Sequence, residues 1–269
     1  MRTIWINDTA YQRTNYLIRK GANFVAQDTS SSQMIKTPEK AFLYSQKIIP
    51  RRYLYLFKEI KNHASSQIEQ RKIDLSTEGM KARYFLFKNV NLAPGECLEF
   101  ENVVQYDINK AYYTIARNLG IISPEYYENY INLPKHLRLV LIGGLATKKI
   151  IKNYENGILT TREIKEDENL RQAFIKIVVE TDKILLSIAK ALNDEFLVYW
   201  VDGITLIDTP KAKEVIEYYS ALNNIEFSIE KLKFVRFQNE ETLKAYIHNY
   251  KKEKVLINRK EYNGHFNAN

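Results

Sequence analysis

An α+β fold, an antiparallel sheet covered by helices on one face, is the architecture the sequence predicts. Two observations carry that expectation. From residue 96 onward, segments of strand and helix character interleave in the order strand, helix, helix, hairpin, long helix, hairpin, helix, strand, so strands follow one another through hairpins rather than helical crossovers. Only nine Gly and six Pro punctuate 269 residues, which leaves most of the chain to regular structure. With 45% hydrophobic residues the chain can bury one large core or two small ones, and disorder is excluded.

Residues 1–81 read as a basic, mostly helical N-terminal subdomain. It contains a polar loop over 27–41 centred on Ser30 to Ser32, then a helix-leaning stretch with IIPRRYLYLFKEIK, running to about residue 72. Residues 82–250 form the second domain. ARYFLFKNV and CLEFENVVQYDI are rich in aromatic and β-branched residues and predict two strands, with a turn at Pro94-Gly95 between them. NKAYYTIARNLG is a short helix closed by Gly120, and residues 132–147 begin a Pro-initiated helix that stops at Gly143-Gly144. KKIIKNYENGILTTREI predicts a hairpin turning at Glu155 to Gly157.

The clearest helix follows. Glu166 to Glu168 open it, and Leu170, Phe174, Ile177, Val178, Thr181, Leu185, Ile188 and Leu192 make one apolar stripe that must back onto a sheet. Glu180 and Asp182 fall off or beside that stripe and are expected to face solvent. EFLVYWVDGITLID then reads as a hairpin across Asp202-Gly203, KAKEVIEYYSAL as an amphipathic helix, and IEFSIEKLKFVRF as a strand pair. Residues 251–269 are expected to be a polar tail.

Forty Lys and Arg against 32 Asp and Glu give a formal charge of +8, which favours polyanionic partners such as nucleic acid. A single cysteine, Cys97, excludes an intramolecular disulfide, and four scattered histidines lack the spacing of a structural zinc site. No long apolar run or signal-peptide core is present, so no membrane partner and a cytoplasmic location are expected. Phosphate-binding loops, dinucleotide fingerprints, nucleophile elbows and thiol catalysis find no support in the sequence.

What remains for chemistry is a pair of carboxylates at strand ends, Asp107 in QYDINKAYY and Asp202 in VYWVDGITL. Brought onto neighbouring strands, they could hold two Mg²⁺ (or Mn²⁺) ions about 3.5–4 Å apart, the arrangement of in-line phosphoryl transfer. Each acid also has a purely structural reading. Asp107 sits where a helix N-cap is common, and Asp-Gly is a preferred pair for a tight turn with positive φ. Arg51 and Arg52, set among Tyr53, Tyr55 and Phe57, are candidates to bind a nucleic-acid strand or to cap a helix.

QYDINKAYY resembles motif A of family B DNA polymerases, with Asp107 at the metal-binding aspartate and Tyr112 at the tyrosine that excludes a ribose 2′-hydroxyl. RLVLIGGLATKK is similar to a worn motif B, with Arg138 at the lysine that grips the incoming triphosphate. YWVDGITL resembles motif C, with Asp202 at its second, metal-binding aspartate and Gly203 at the following serine. The order of these segments is that of the palm of the small, protein-primed phage type. The resemblance implies nucleotidyl transfer on a DNA or RNA template-primer with dNTP as substrate, and IEKLKFVRF then brings Lys231 or Lys233 to the primer strand.

It covers only residues from about 96 to 237. Lys110 and Tyr113 replace the Ser and Pro of motif A, the Asn and Tyr of motif B are missing, and Trp200 stands where motif C has its first Asp. The fingers are reduced, no thumb is recognised, and the first 106 residues lack the Asp-x-Glu of a 3′-5′ exonuclease. A replication partner protein could supply the missing subdomains. The abundance of Lys, Asn, Ile and Tyr fits an AT-rich viral or mobile-element origin, which would place the protein in a host cytoplasm. Two alternatives stay open: a catalytically inactive, palm-derived nucleic-acid-binding accessory protein, and a primase-like or terminal transferase enzyme.

Overall fold

The computed structural model describes residues 9–29, 32–45, 54–77, 85–240, 242–250 and 253–257. Among them are seven helices and fourteen strands in three antiparallel sheets, 41% helix and 33% strand, an α+β fold. In chain order these are α1 (Thr9–Arg19), β1 (Phe24–Asp28), β2 (Ser32–Lys36), β3 (Ala41–Ser45), α2 (Leu54–Arg71), β4 (Phe85–Phe87), β5 (Cys97–Phe100), β6 (Val103–Ile108), α3 (Ala111–Asn118), α4 (Pro124–Tyr130) and α5 (Lys135–Gly143). Then follow β7 (Lys149–Glu155), β8 (Ile158–Lys165), α6 (Glu168–Ala191), β9 (Phe196–Trp200), β10 (Gly203–Ile207), α7 (Pro210–Asn223), β11 (Phe227–Leu232), β12 (Phe234–Asn239), β13 (Leu243–His248) and β14 (Glu253–Ile257). The chain forms two compact units, each discontinuous in sequence, rather than dividing at a single cut near residue 82.

The first unit takes its described residues from Met1–Ser66 and His136–Phe174. Its five-stranded sheet has the order β3-β2-β1-β7-β8. The polar loop expected over 27–41 is instead largely a hairpin: β1 and β2 pair from Val25↔Lys36 to Asp28↔Gln33, and β3 extends the sheet. Among the described residues of the segment before α2, strand positions therefore outnumber helical ones, against the mostly helical subdomain expected. Its polar residues occupy strand positions whose alternate neighbours are apolar, and Phe24, Ala26, Ile35, Phe42 and Tyr44 join Ala10 and Leu17 of α1 in one core cluster. Ser32 opens β2, while Ser30 and Ser31 lie outside the described residues. The β7–β8 hairpin forms as predicted, with Asn156 and Gly157 both left-handed (φ 51° and 76°), as a type I′ turn requires.

The second unit combines Gln67–Lys135 with the described residues of Ile175–Asn269. Its larger sheet has the order β11-β6-β10-β9-β4. Along β6, Val104, Tyr106 and Ile108 point to one face and Val103, Gln105 and Asp107 to the other. α6 lies on the Tyr106 face, where the Tyr199 hydroxyl of β9 donates to Asp182 at 2.6 Å. Asp182 is thus buried, 5% exposed, and not solvent-facing as expected; it falls beside the apolar stripe but meets a polar partner rather than water.

The opposite face carries an addition that the sequence did not predict. A four-stranded sheet of order β14-β13-β12-β5 packs there, and Val235, Phe237, Ala245 and Ile247 close a core with Phe87, Val103, Val198 and Leu232. One expected strand is cut to build it. CLEFENVVQYDI breaks at Asn102, which is left-handed (φ 53°), so β5 joins the smaller sheet and β6 the larger. IEFSIEKLKFVRF forms the two strands expected of it, but they join different sheets, β11 paired to β6 and β12 to β13 and β5. Within the tail expected to be polar and loose, Glu253–Ile257 is a strand paired to β13.

α3 ends in a Schellman motif, Gly120 N–H bonding Arg117 C=O and Ile121 N–H bonding Ala116 C=O, both at 2.9 Å, as the glycine signal implies. α4 was not predicted, although its start carries a legible signal. Ser123 accepts from the Tyr126 N–H at 3.1 Å, and Pro124 occupies the first turn.

Candidate active site

Asp107 lies within β6, and the N-cap of α3 is Lys110, a left-handed residue (φ 53°) without a side-chain capping bond. Capping therefore does not account for Asp107. The β9–β10 hairpin pairs Trp200 with Gly203, so Val201 and Asp202 make the turn. The positive φ falls on Val201 (57°), not on Asp202 or Gly203. A β-branched residue in this region costs roughly 1–3 kcal/mol, strain of the kind that concentrates at functional turns.

The glycine at 203 serves a different need, which is space. Gly203 is the register partner of Asp107 on the adjacent strand. A Cβ built on Gly203 would run into Asp107 Oδ1 and stand 3.2 Å from its Cγ and 3.4 Å from Gln105 Nε2. The carboxylate of Asp107 thus occupies the room that a side chain at 203 would take. The Asp202 carbonyl accepts the Ile108 N–H at 2.9 Å, which ties the hairpin tip to the end of β6.

Gln105, two residues earlier on the same face, donates its Nε2 to both Asp107 oxygens at 2.9 and 2.8 Å. With Val198, Trp200, Gly203, Thr205 and Ile247 it lines a small concavity on this face. Above Trp200 sits Lys254 of β14, its Nζ 2.9 Å from the ring centroid.

Electrostatically the two acids act on each other. Burial first, and then the neighbouring Asp107 charge, raise the Asp202 carboxyl above its ordinary 3.8, while Lys135, Lys254 and a backbone hydrogen bond oppose the rise. The Lys254 ammonium is lowered from 10.5 by burial, with Lys135 adding to the lowering and Asp107, Asp202 and Glu230 opposing it. Four charged groups besides Lys254 itself therefore bear on this corner of the sheet.

The remaining candidates are distributed as follows. Tyr112 is half-buried in the first turn of α3. Arg138 is half-buried in α5 and belongs to the first unit. Lys231 is exposed on β11 and pairs with Val104, so it extends from the face opposite Asp107; Ser228, the partner of Asp107, and Glu230 share the acid face. Lys233 is exposed where the chain passes between sheets, its N–H donating to the His248 carbonyl at 2.8 Å. Arg51 and Arg52 lie outside the described residues.

Sequence reasoning missed Gln105, Lys135 and Lys254. Strand alternation places Gln105 on the face of Asp107 and could have found it. No local signal marks Lys254, because its place beside Trp200 depends on how β14 is laid against another sheet.

Two carboxylates, one on β6 and one on the adjoining β9–β10 turn, are a hard-oxygen donor set. They suit Mg²⁺ or Mn²⁺, ions that take one or two protein carboxylates and complete their shell with water and phosphate oxygens. Among the described residues no group of three or more His, Cys, Asp or Glu gathers into a fuller metal cage. A scan against models of known protein families finds no match, and a search of curated proteins finds no similar sequence. Among the described residues, no helix is long and apolar enough to cross a membrane.

Proposed function

We propose that this chain is a nucleotidyl transferase, a template-dependent polymerase reduced to a family B-like palm, acting through two divalent ions held by Asp107 and Asp202. The observation that carries the reading is that Asp107 on β6 lies beside the β9–β10 turn that carries Asp202, close enough for its charge to raise the Asp202 carboxyl, with Gly203 leaving the space the Asp107 carboxylate fills. Bound divalent ions would supply charge neutralisation at the phosphoryl group and activate the attacking hydroxyl.

The chain's own residues do the positioning. Gln105 fixes the Asp107 carboxylate, and the Asp202–Ile108 backbone bond fixes the turn. Tyr112, in the first turn of α3 shortly after Asp107, is assigned to the sugar. The formal charge of +8 favours a DNA or RNA template-primer. A replication partner protein would complete the grip on template and primer.

The test is incorporation of labelled dNTPs and NTPs on a primed single strand with Mg²⁺ or Mn²⁺, beside Asp107→Asn and Asp202→Asn. Template-matched extension that falls by several orders of magnitude in both variants is the expected result, because metal-held charge neutralisation supplies much of the rate. Extension that ignores the template would instead select a terminal transferase. No extension with either metal, together with salt-sensitive strand binding by all three proteins, would sink the catalytic reading in favour of an accessory binding protein.

A further inference from the structure

Trp200 stands on the acid face of the larger sheet, paired with Gly203 on one side and Phe85 on the other. It remains 37% exposed, a large aromatic face at the edge of the carboxylate pair. Lys254 of the smaller sheet lies over that ring, with its ammonium 2.9 Å from the ring centroid. An ammonium seated over an indole is held there by cation–π attraction, so its charge is fixed in place rather than free to swing. Asp107, Asp202 and Glu230 are the acidic groups within electrostatic reach of it, and Lys135 is the nearby cation. β14 itself is anchored by its ladder with β13, in which Lys254 pairs with Ile247, a residue of the core between the two sheets and of the concavity beside Gln105.

We propose that Lys254, held by Trp200, is the substrate-phosphate anchor of the acid site and, until substrate arrives, the resident counter-charge of Asp107 and Asp202. The proposal rests on the reading of this site as a metal-dependent nucleotidyl transferase. An ammonium beside two carboxylates stabilises their ionised forms but repels a divalent cation that approaches the same oxygens. A nucleotide brings anionic phosphate oxygens to the ions, and the ammonium then gains a partner of opposite charge without leaving the ring. Lys254 therefore works against metal binding alone and in favour of binding metal together with nucleotide.

That pair of opposite effects separates the proposal from a structural role, because a variant that merely loosens the fold weakens both. Lys254→Met keeps the stem and removes the charge; Lys254→Arg keeps the charge. Calorimetric titration of the intact chain with Mn²⁺ alone should show tighter binding for Lys254→Met, on the order of tenfold. Titration of the Mn²⁺-saturated protein with dATP should show binding weakened by about the same factor, with Lys254→Arg close to the parent in both experiments. Trp200→Leu, which frees the ammonium, should weaken dATP binding less than Lys254→Met.

Unchanged or weaker Mn²⁺ binding by Lys254→Met, with Mn²⁺ binding by the parent still abolished in Asp107→Asn, overturns the role of Lys254 and leaves the metal reading standing. Mn²⁺ binding indifferent to both Asp107→Asn and Asp202→Asn overturns the two together.

Discussion

Gly203→Ala adds one methyl group at the place where the two acid-bearing strands meet, and its consequence can be worked through from contacts. The new Cβ would overlap Asp107 Oδ1 and stand 3.2 Å from Cγ, whereas ordinary contact begins at 3.4 Å. To relieve the overlap the carboxylate must swing by about 1 Å, a displacement of the size that costs an enzyme about 100-fold in rate. The swing also breaks the two contacts that Gln105 Nε2 makes with the carboxylate at 2.9 and 2.8 Å. Backbone strain adds nothing, because φ at Gly203 is not in the left-handed region. Overpacking of this kind costs roughly 1–3 kcal/mol of stability.

Urea unfolding read by circular dichroism, with primed-strand extension on the same preparation, measures both effects. Gly143→Ala is the matched control. It sits in α5 with nothing within 4 Å of the added methyl and should be stabilised by about 0.5–1 kcal/mol with activity unchanged. A Gly203→Ala protein with the stability and extension rate of the parent would refute the argument, since the Asp107 carboxylate could then not occupy the space assigned to it.

Three further outcomes are expected. Gln105→Leu removes the donor to Asp107 and should weaken Mn²⁺ binding by about 10–100-fold, as loss of groups that orient metal ligands does, while the unfolding midpoint moves little. Tyr199→Phe removes a 2.6 Å bond to the buried Asp182 and should cost about 1.5–3 kcal/mol in urea unfolding, and a midpoint unchanged from the parent would show the bond to be dispensable. In EDTA, Asp202 sets a pH signature whose sign follows from its raised carboxyl. The folded state binds the proton more tightly than the unfolded, so the stabilising contribution is complete below 3.8 and is lost as pH rises through the folded value. Asp202→Asn should therefore match the parent at the acid end and exceed it in stability at neutral pH; a gap that widens in acid contradicts the sign.

Most single elements were legible because their signals are local. The stripe from Leu170 to Leu192 settles α6, Asn156-Gly157 settles the β7–β8 turn, and Thr209-Pro210 opens α7, whose Thr209 hydroxyl accepts the Ala212 N–H at 3.1 Å. Those features depend on side-chain spacing and cap chemistry within a few residues. Missed or merged elements are those whose local pattern is ambiguous. β2 reads as polar loop because only Ile35 among its central residues is conspicuously apolar and buried, and β14 reads as tail because what its apolar side covers, the core under β6 and β9, comes from strands far away in sequence.

From the sequence alone came the α+β class, the two carboxylates, and the glycine after the second of them. Tertiary structure alone decided what these residues mean to one another. Strand register makes Gly203 the partner of Asp107, so a glycine that reads as turn chemistry is a gap for a carboxylate. Sheet packing lays β14 against the acid face, so a lysine in a polar tail becomes a charge fixed over Trp200. The physical reason is common to both: spacing along the chain encodes the direction of a side chain, whereas contact between strands remote in sequence depends on which faces the folded chain buries together.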